Sequence, residues 1–174
     1  MMVSISRRLE DFEINKKLFL LINSKRHYCL DLFYRYFHYA CKGYTVLPFF
    51  ILIYFSYRHL LLPFCLAFIL ESLLVMFMKK LFKAPRPATL LGENRVHLME
   101  PLHLNSFPSG DSAMAFLIAT FFLPVVSYPY NFLLLIYAFL VAYGRIYSGS
   151  HFPLDVAVGG AIGALCATLA HSLF

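Results

Sequence analysis

Long apolar runs separated by short polar breaks give this chain the rhythm of membrane-crossing helices. Residues 10–24 come first and are amphipathic. Phe12, Leu18, Phe19 and Ile22 share one helical face, while Lys16, Lys17 and acidic residues fill the remainder. The spacing predicts a helix lying in the headgroup layer, within an N-terminal segment of residues 1–27. A first span is expected over about 33–57. Its uncharged part, 43–57, is short, so the span must borrow aromatic residues 34–39 and bring Arg35 or Lys42 to an interface. A second span, about 60–81, is apolar except for Glu71.

A loop rich in Pro, His, Arg and Asn occupies 83–108. The next 33 residues, Ser112 to Gly144, carry no formal charge. At a helical rise of ~1.5 Å per residue that run measures about 50 Å, too long for one crossing of a ~30 Å hydrocarbon layer. Ser127, Pro129 and Asn131 mark a turn inside it, with Pro129 as the breaker. Spans three, four and five are therefore expected over 109–126, 132–146 and 153–173. Gly159, Gly160 and Gly163 in the last would permit close helix packing. The expected fold is an all-α polytopic membrane bundle of five spans, with six as the alternative, plus an N-terminal amphipathic interfacial helix. It forms a single domain over 1–174.

Composition narrows the class further. Of the 174 residues 60% are hydrophobic and 14% charged, and mean hydropathy is +0.69. Soluble domains carry roughly a quarter charged residues, so a water-soluble globule and a disordered chain are both excluded. Continuous rather than alternating apolar runs disfavour a membrane β-barrel. The acids ahead of residues 18–22 and the shortness of that run argue against a signal peptide. Fifteen Lys and Arg against nine Asp and Glu suit anionic headgroups. No nucleic-acid recognition fold accompanies them, and no obligate protein partner is evident. Cys29, Cys41, Cys65 and Cys166 lack CxxC or metal-site spacing and are expected to pack as small apolar side chains.

Five crossings place three polar clusters on one membrane face. These are Lys79, Lys80, Lys83 and Arg86-Pro87; then Pro108-Ser109-Gly110-Asp111; then Gly144-Arg145 through Ser150-His151, Pro153 and Asp155. Each alone has an ordinary explanation. Lysines at a helix end snorkel, Ser-Gly caps a helix, and a His beside a Pro is often structural. Their convergence weakens that reading. Lys79, Arg86 and Arg145 supply cations suited to phosphate, and Arg presents a planar fork to its oxygens. Ser109 and Gly110 open span three, where backbone N–H groups would meet an anion. Asp155, four residues after His151, would fix the imidazole tautomer and leave the other nitrogen as nucleophile. No carboxylate cluster for a divalent metal is evident, so no metal or cofactor is expected.

The spacing Lys79-x6-Arg86-Pro87, Pro108-Ser109-Gly110, Arg145-x5-His151-x3-Asp155 resembles the tripartite signature of the type 2 phosphatidic acid phosphatase superfamily, integral membrane lipid phosphatases. The likeness covers about residues 60–165. It implies that Lys79, Arg86, Ser109, Gly110 and Arg145 hold phosphate, that His151 becomes phosphohistidine, and that Asp155 orients it. It further implies metal-independent hydrolysis on the extracytoplasmic face. The short chain and basic N-terminus look most like the bacterial lipid A 1-phosphatases, acting from the periplasmic side of the inner membrane. The positive-inside rule points the other way, because the motif face holds most of the Lys and Arg. Phosphate binding gives several of those cations a different reason to be there, so the resemblance is preferred.

The chain departs from the signature twice. Gly144 stands where the family often has Ser. Asp111 stands where the second motif ends in the His that acts as general acid. An acid in a first helical turn amid Lys and Arg stays ionised and has no proton to give. General acid catalysis is worth ~10²–10⁴-fold, so a deficit of that size is expected relative to an Asp111→His form. Either the chain is a disabled variant, the preferred reading, or its substrate has a good leaving group. Phosphatidylglycerophosphate or undecaprenyl diphosphate hydrolysis, lipid phosphotransfer and non-catalytic phospholipid binding remain as alternatives. Glu71 is expected to be a hydrogen-bonded buried carboxyl, and His97 and His103 solvated loop residues. Arg7, Arg8, Lys16, Lys17, Lys25 and Arg26 are read as a solvated membrane-surface face.

Overall fold

A computed structural model describes residues 13–99 and 105–174. The described residues are helical, with no strand among them. Helix α1 (Glu13–Asn23) precedes α2 (Tyr28–Phe37), which passes through tight turns at His38–Cys41 and Gly43–Val46 into α3 (Leu47–Ser56). Then follow α4 (Leu61–Phe82), the short α5 (Pro87–Leu91), α6 (Gly110–Phe122), α7 (Tyr130–Tyr147) and α8 (Pro153–Leu173). Phe12, Arg7, Arg8 and His103 lie outside the described residues.

Three segments are long and apolar enough to cross a membrane: Arg58–Leu91, Tyr130–Tyr147 and Pro153–Leu173. A fourth is added if the pair Tyr28–Cys41 and Gly43–Ser56, bent by 63°, counts as one broken span. By length and composition the described residues thus give three or four spans, with the apolar α6 too short to be counted among them. The first span breaks at the polar Lys42, which adopts an extended conformation between two helical turns. The third is shorter than expected, because α6 stops at Phe122 and the chain turns before residue 126. Its 13 residues cover about 20 Å.

Length is not what holds α6 in place. Ala113, Leu117, Ile118, Ala119, Phe121 and Phe122 are fully buried, so α6 is the bundle's central rod. Its main partner is α8, followed by α7 and α4. The glycines of α8 make the first contact possible. A Cβ on Gly159 would lie 2.2 Å from the Ser109 carbonyl oxygen, and one on Gly163 would lie 1.9 Å from that of Ala113. Phe64 meets Phe121 and Phe122 edge-on, extending the core to α4.

Helix α1 has a different buried face from the one its apolar residues suggest. Asn15, Phe19 and Asn23 are buried, one helical turn apart, while Leu18 is exposed. This stripe docks on the bundle instead of facing acyl chains alone. Phe19 meets the Phe152 ring at 5.2 Å. Asn23 Nδ2 donates to the carbonyls of His97 and Tyr147, and its Oδ1 accepts from the His97 amide. Among the cations read as solvated, Arg26 is committed. It pairs with Asp31, donates to the Tyr147 carbonyl at 3.0 Å and lies over the Tyr147 ring.

Candidate active site

The three polar clusters meet at one end of the bundle. At the C-terminus of α4 the left-handed backbone of Lys83 (φ +47°) ends the helix and turns the chain toward Arg86. Lys79 Nζ donates to the Asn105 carbonyl at 3.1 Å, and Asn105 Nδ2 returns a bond to the Lys79 carbonyl at 3.0 Å. Ser106 N–H donates to the Ala84 carbonyl at 2.8 Å, tying the second cluster to the first.

His151 and Asp155 form the buried centre, each at most 2% exposed. Asp155 sits in the first turn of α8. Its Oδ2 accepts from the Phe152 amide at 3.0 Å and from the Ser106 hydroxyl, and lies 3.5 Å from His151 Nδ1. Arg86 Nη1 lies 3.1 Å from His151 Nε2 and donates to the Ser150 carbonyl at 2.7 Å. A guanidinium has only donors, so Nε2 must carry the lone pair and the imidazole proton must sit on Nδ1, toward Asp155. Burial, reinforced by the Arg86 and Arg145 charges and opposed by Asp155, pushes the His151 pKa down to about 3. The ring is neutral at physiological pH, with its nucleophilic nitrogen facing Arg86.

The Arg145 carbonyl accepts from the amides of Ser150 and His151, both at 3.1 Å, and so shapes the loop between α7 and α8. Gly149 turns that loop with φ +79°, and a Cβ there would sit 2.6 Å from the His97 carbonyl oxygen. Arg145 itself is nearly buried and pairs through Nε with Asp111 Oδ2 at 3.2 Å. Ser109 caps α6: its hydroxyl accepts from the Ser112 amide, and its own N–H donates to the Asp155 carbonyl at 3.0 Å. The Ser109 amide is therefore committed to α8. Gly110 and Asp111, whose N–H groups lack intrahelical acceptors by position, line the cavity instead.

That cavity measures about 540 Å³. Lys79, Lys80, Arg86, Asn105 and Asp111 line it together with the apolar Val75, Met76 and Met114 and with Glu71. His151 does not line it, since Arg86 stands between the space and the ring. Glu71 is buried, as expected, and accepts from the Ser72 hydroxyl at 3.2 Å. His97 engages through its backbone with Asn23.

Four polar residues escaped the sequence reading. Asn105 and Ser106 belong to no motif, although they sit in the polar stretch just before Ser109. Asn15 and Asn23 act from α1, where Asn15 Oδ1 accepts from the Leu154 amide at 3.0 Å, inside the first turn of α8. Their signal was a polar residue one turn either side of Phe19. Gly144 also has a local cause. A Cβ there would lie 2.5 Å from Tyr34 Cε1, so the Tyr34 ring occupies the space a serine would need.

A helical membrane bundle with this arrangement defines a class. The model of the PAP2 superfamily matches residues 60–174, and the chain belongs to that superfamily of membrane phosphatases. Among solved structures it is similar to LpxE of Aquifex aeolicus, with a TM-score of 0.88 and 45% identity over 94% of this chain and 98% of that one. It shares its fold with a PAP2-type phosphatidylglycerolphosphate phosphatase from Bacillus subtilis, TM-score 0.79 at 18% identity, covering 98% of this chain and 91% of that one. It is 38% identical over 103 residues to the bacitracin transport permease protein BcrC of Bacillus licheniformis. That alignment takes in 59% of this chain, and the chain spans about half the length (49%) of that curated relative.

Proposed function

We propose that this protein hydrolyses a phosphate monoester on a membrane lipid through a phosphohistidine. The observation that carries this reading is the polarised imidazole: His151 Nε2 bears its lone pair toward Arg86 while Nδ1 faces Asp155. Phosphate binds by displacing Arg86 from Nε2 and drawing on Lys79, Arg86, Arg145 and the amides at the head of α6. Nε2 then attacks phosphorus, the phosphorus–oxygen bond to the lipid breaks with the departing oxygen taking a proton from water, and Asp155 stabilises the resulting imidazolium. Water next attacks phosphorus, releasing inorganic phosphate and restoring His151. Fixed cations neutralise the charge that develops on the phosphoryl oxygens.

Asp111 is engaged by Arg145 through its carboxylate and is not a donor aimed at the departing oxygen. The chain is therefore slow relative to an Asp111→His form, and least handicapped on a lipid whose leaving group needs little protonation. An anomeric hydroxyl meets that condition. Together with the likeness to LpxE, this supports the 1-phosphate of lipid A as substrate. Phosphatidylglycerophosphate and undecaprenyl diphosphate are the competing substrates. The site would then face the periplasm from a bacterial inner membrane, with α6 completing a five-span bundle.

The test is phosphate release from a panel of these lipids, with chelator present, by the chain as given and by its Asp111→His form. An acid-labile phosphoryl group on His151, absent from a His151→Ala protein, is expected. Lipid binding with no phosphoenzyme in either form would overturn hydrolysis in favour of a phospholipid-binding protein.

A further inference from the structure

A second cavity, of about 300 Å³, reaches the loop between α7 and α8 at Ser148. Arg26, Arg35 and His38 line it with Asp31, Met99 and Ser148. Ser148 is three residues from His151, which places their Cα atoms within about 10 Å of each other. Ser148 is also locked to the reacting end, since its hydroxyl bonds to Ser150 Oγ at 2.9 Å and its carbonyl accepts from the Met99 amide at 3.1 Å.

The charges of this cavity are unevenly committed. Asp31 Oδ1 already takes Arg26 and the Tyr147 hydroxyl, so its carboxylate is neutralised by groups beside it. Arg35 lies one helical turn further along α2 and is exposed, and the His38 ring bonds back to the Arg35 carbonyl at 2.7 Å. The cavity thus offers a guanidinium and an imidazole at an opening shared with the loop that carries the nucleophile. Nothing in the hydrolysis described above uses them.

We infer that this cavity is a second anion subsite, which holds a phosphate-class group beside the loop that carries His151. The inference rests on the lipid phosphatase reading and assigns the substrate class as a lipid carrying two separate anionic groups. The same chemistry would also accept the headgroup of a neighbouring anionic lipid.

The test compares the protein with its Arg35→Gln and Arg35→Lys variants on three preparations. These are a lipid bearing two phosphate monoesters, a one-phosphate lipid in neutral micelles, and the one-phosphate lipid in micelles doped with phosphatidylglycerol. Arg35→Gln is expected to raise KM for the two-phosphate lipid at least tenfold more than for the one-phosphate lipid in neutral micelles. Arg35→Lys should recover part of that difference, and kcat should move little. If only the doped micelles show the selective loss, the occupant is a neighbouring headgroup, and the subsite stands. Equal effects on all three preparations, or none, overturn it. Equilibrium binding of the same lipids to the protein and its Arg35→Gln form is read in parallel. Selective loss of binding without turnover in any form would retain the subsite and reject the hydrolase reading. A circular dichroism melt verifies that each variant is folded.

Discussion

Arg86 Nη1 and His151 Nε2 lie 3.1 Å apart, so the cation expected to grip phosphate rests on the nitrogen expected to attack it. The guanidinium covers Nε2 and directs its lone pair, and in the proposed reaction phosphate displaces it. Charged hydrogen bonds of this kind contribute about 1.5–3 kcal/mol, or roughly 10–150-fold in rate. Arg86→Gln should lower kcat/KM within that range on any accepted lipid phosphate. Arg86→Lys, which keeps the charge and loses the fork, should fall between. Unaltered kcat/KM for Arg86→Gln would remove Arg86 from the site.

The Asp111–Arg145 pair makes a second, opposite prediction. In the proposed reaction Asp111 stands where a general acid is expected and also occupies an arginine expected to hold phosphate. Asp111→Asn should free Arg145 and lower KM without supplying an acid. Asp111→His should raise kcat by ~10²–10⁴-fold on an alkyl phosphate ester, and by less on an anomeric phosphate. Phosphate release assayed on both lipid types separates the two effects. Equal rates for the parent and Asp111→His would mean that position 111 does not serve the leaving group.

The bundle's stability should hinge on the approach of α6 to α8. Gly163→Ala puts a Cβ 1.9 Å from the Ala113 carbonyl oxygen and 2.8 Å from the Leu117 amide nitrogen, both backbone atoms that cannot step aside. The helices must separate, and a cost of about 1–3 kcal/mol is expected. The melting temperature in detergent should fall accordingly. Gly43→Ala is the control, because a Cβ there meets nothing within 4 Å.

Small residues at helical spacing in 153–173 announced that packing, and the three polar clusters announced residues that the fold gathers at one end of the bundle. Both signals are local in sequence and rest on residue types with few other uses. The features that escaped depend on partners distant in the chain. The buried stripe of α1 looked like Leu18, Phe19 and Ile22 because apolarity was the only guide. The stripe is Asn15, Phe19 and Asn23, since Asn15 and Asn23 find backbone partners more than a hundred residues away. Hydropathy registers neither the bend at Lys42 nor the end of α6 at Phe122, because it reads apolarity and not backbone conformation.

Those asparagines lead to a further prediction. Asn15 accepts from the Leu154 amide, one residue before Asp155, and Phe19 abuts Phe152. Losing Asn15 Oδ1 leaves a buried amide unsatisfied at the turn that aims Asp155, a loss of about 1–3 kcal/mol. Asn15→Ala should depress kcat more than it raises KM, and Asn15→Asp, which keeps the acceptor, should restore most of it. Loss of thermal stability with kcat unaltered would reduce α1 to a fastener.

The neutrality of His151 can be read directly. Its pKa is pushed down to about 3 by burial, with Arg86 adding to the effect and Asp155 opposing it. In a labelled protein the His151 ring resonances, assigned with His151→Gln, should stay those of the neutral Nδ1–H tautomer from pH 8 to pH 5. Unfolded histidine titrates near 6.5, so between that value and about 3 the unfolded chain binds a proton the folded chain excludes. Stability contributed by this residue is therefore complete above about pH 6.5 and declines as pH falls toward 3. Arg86→Gln removes one of the opposing charges and should move the ring's midpoint upward. A His151 midpoint near 6.5 in the parent protein would show that the imidazole is solvated, and the nucleophile would then be half protonated where the enzyme has to work.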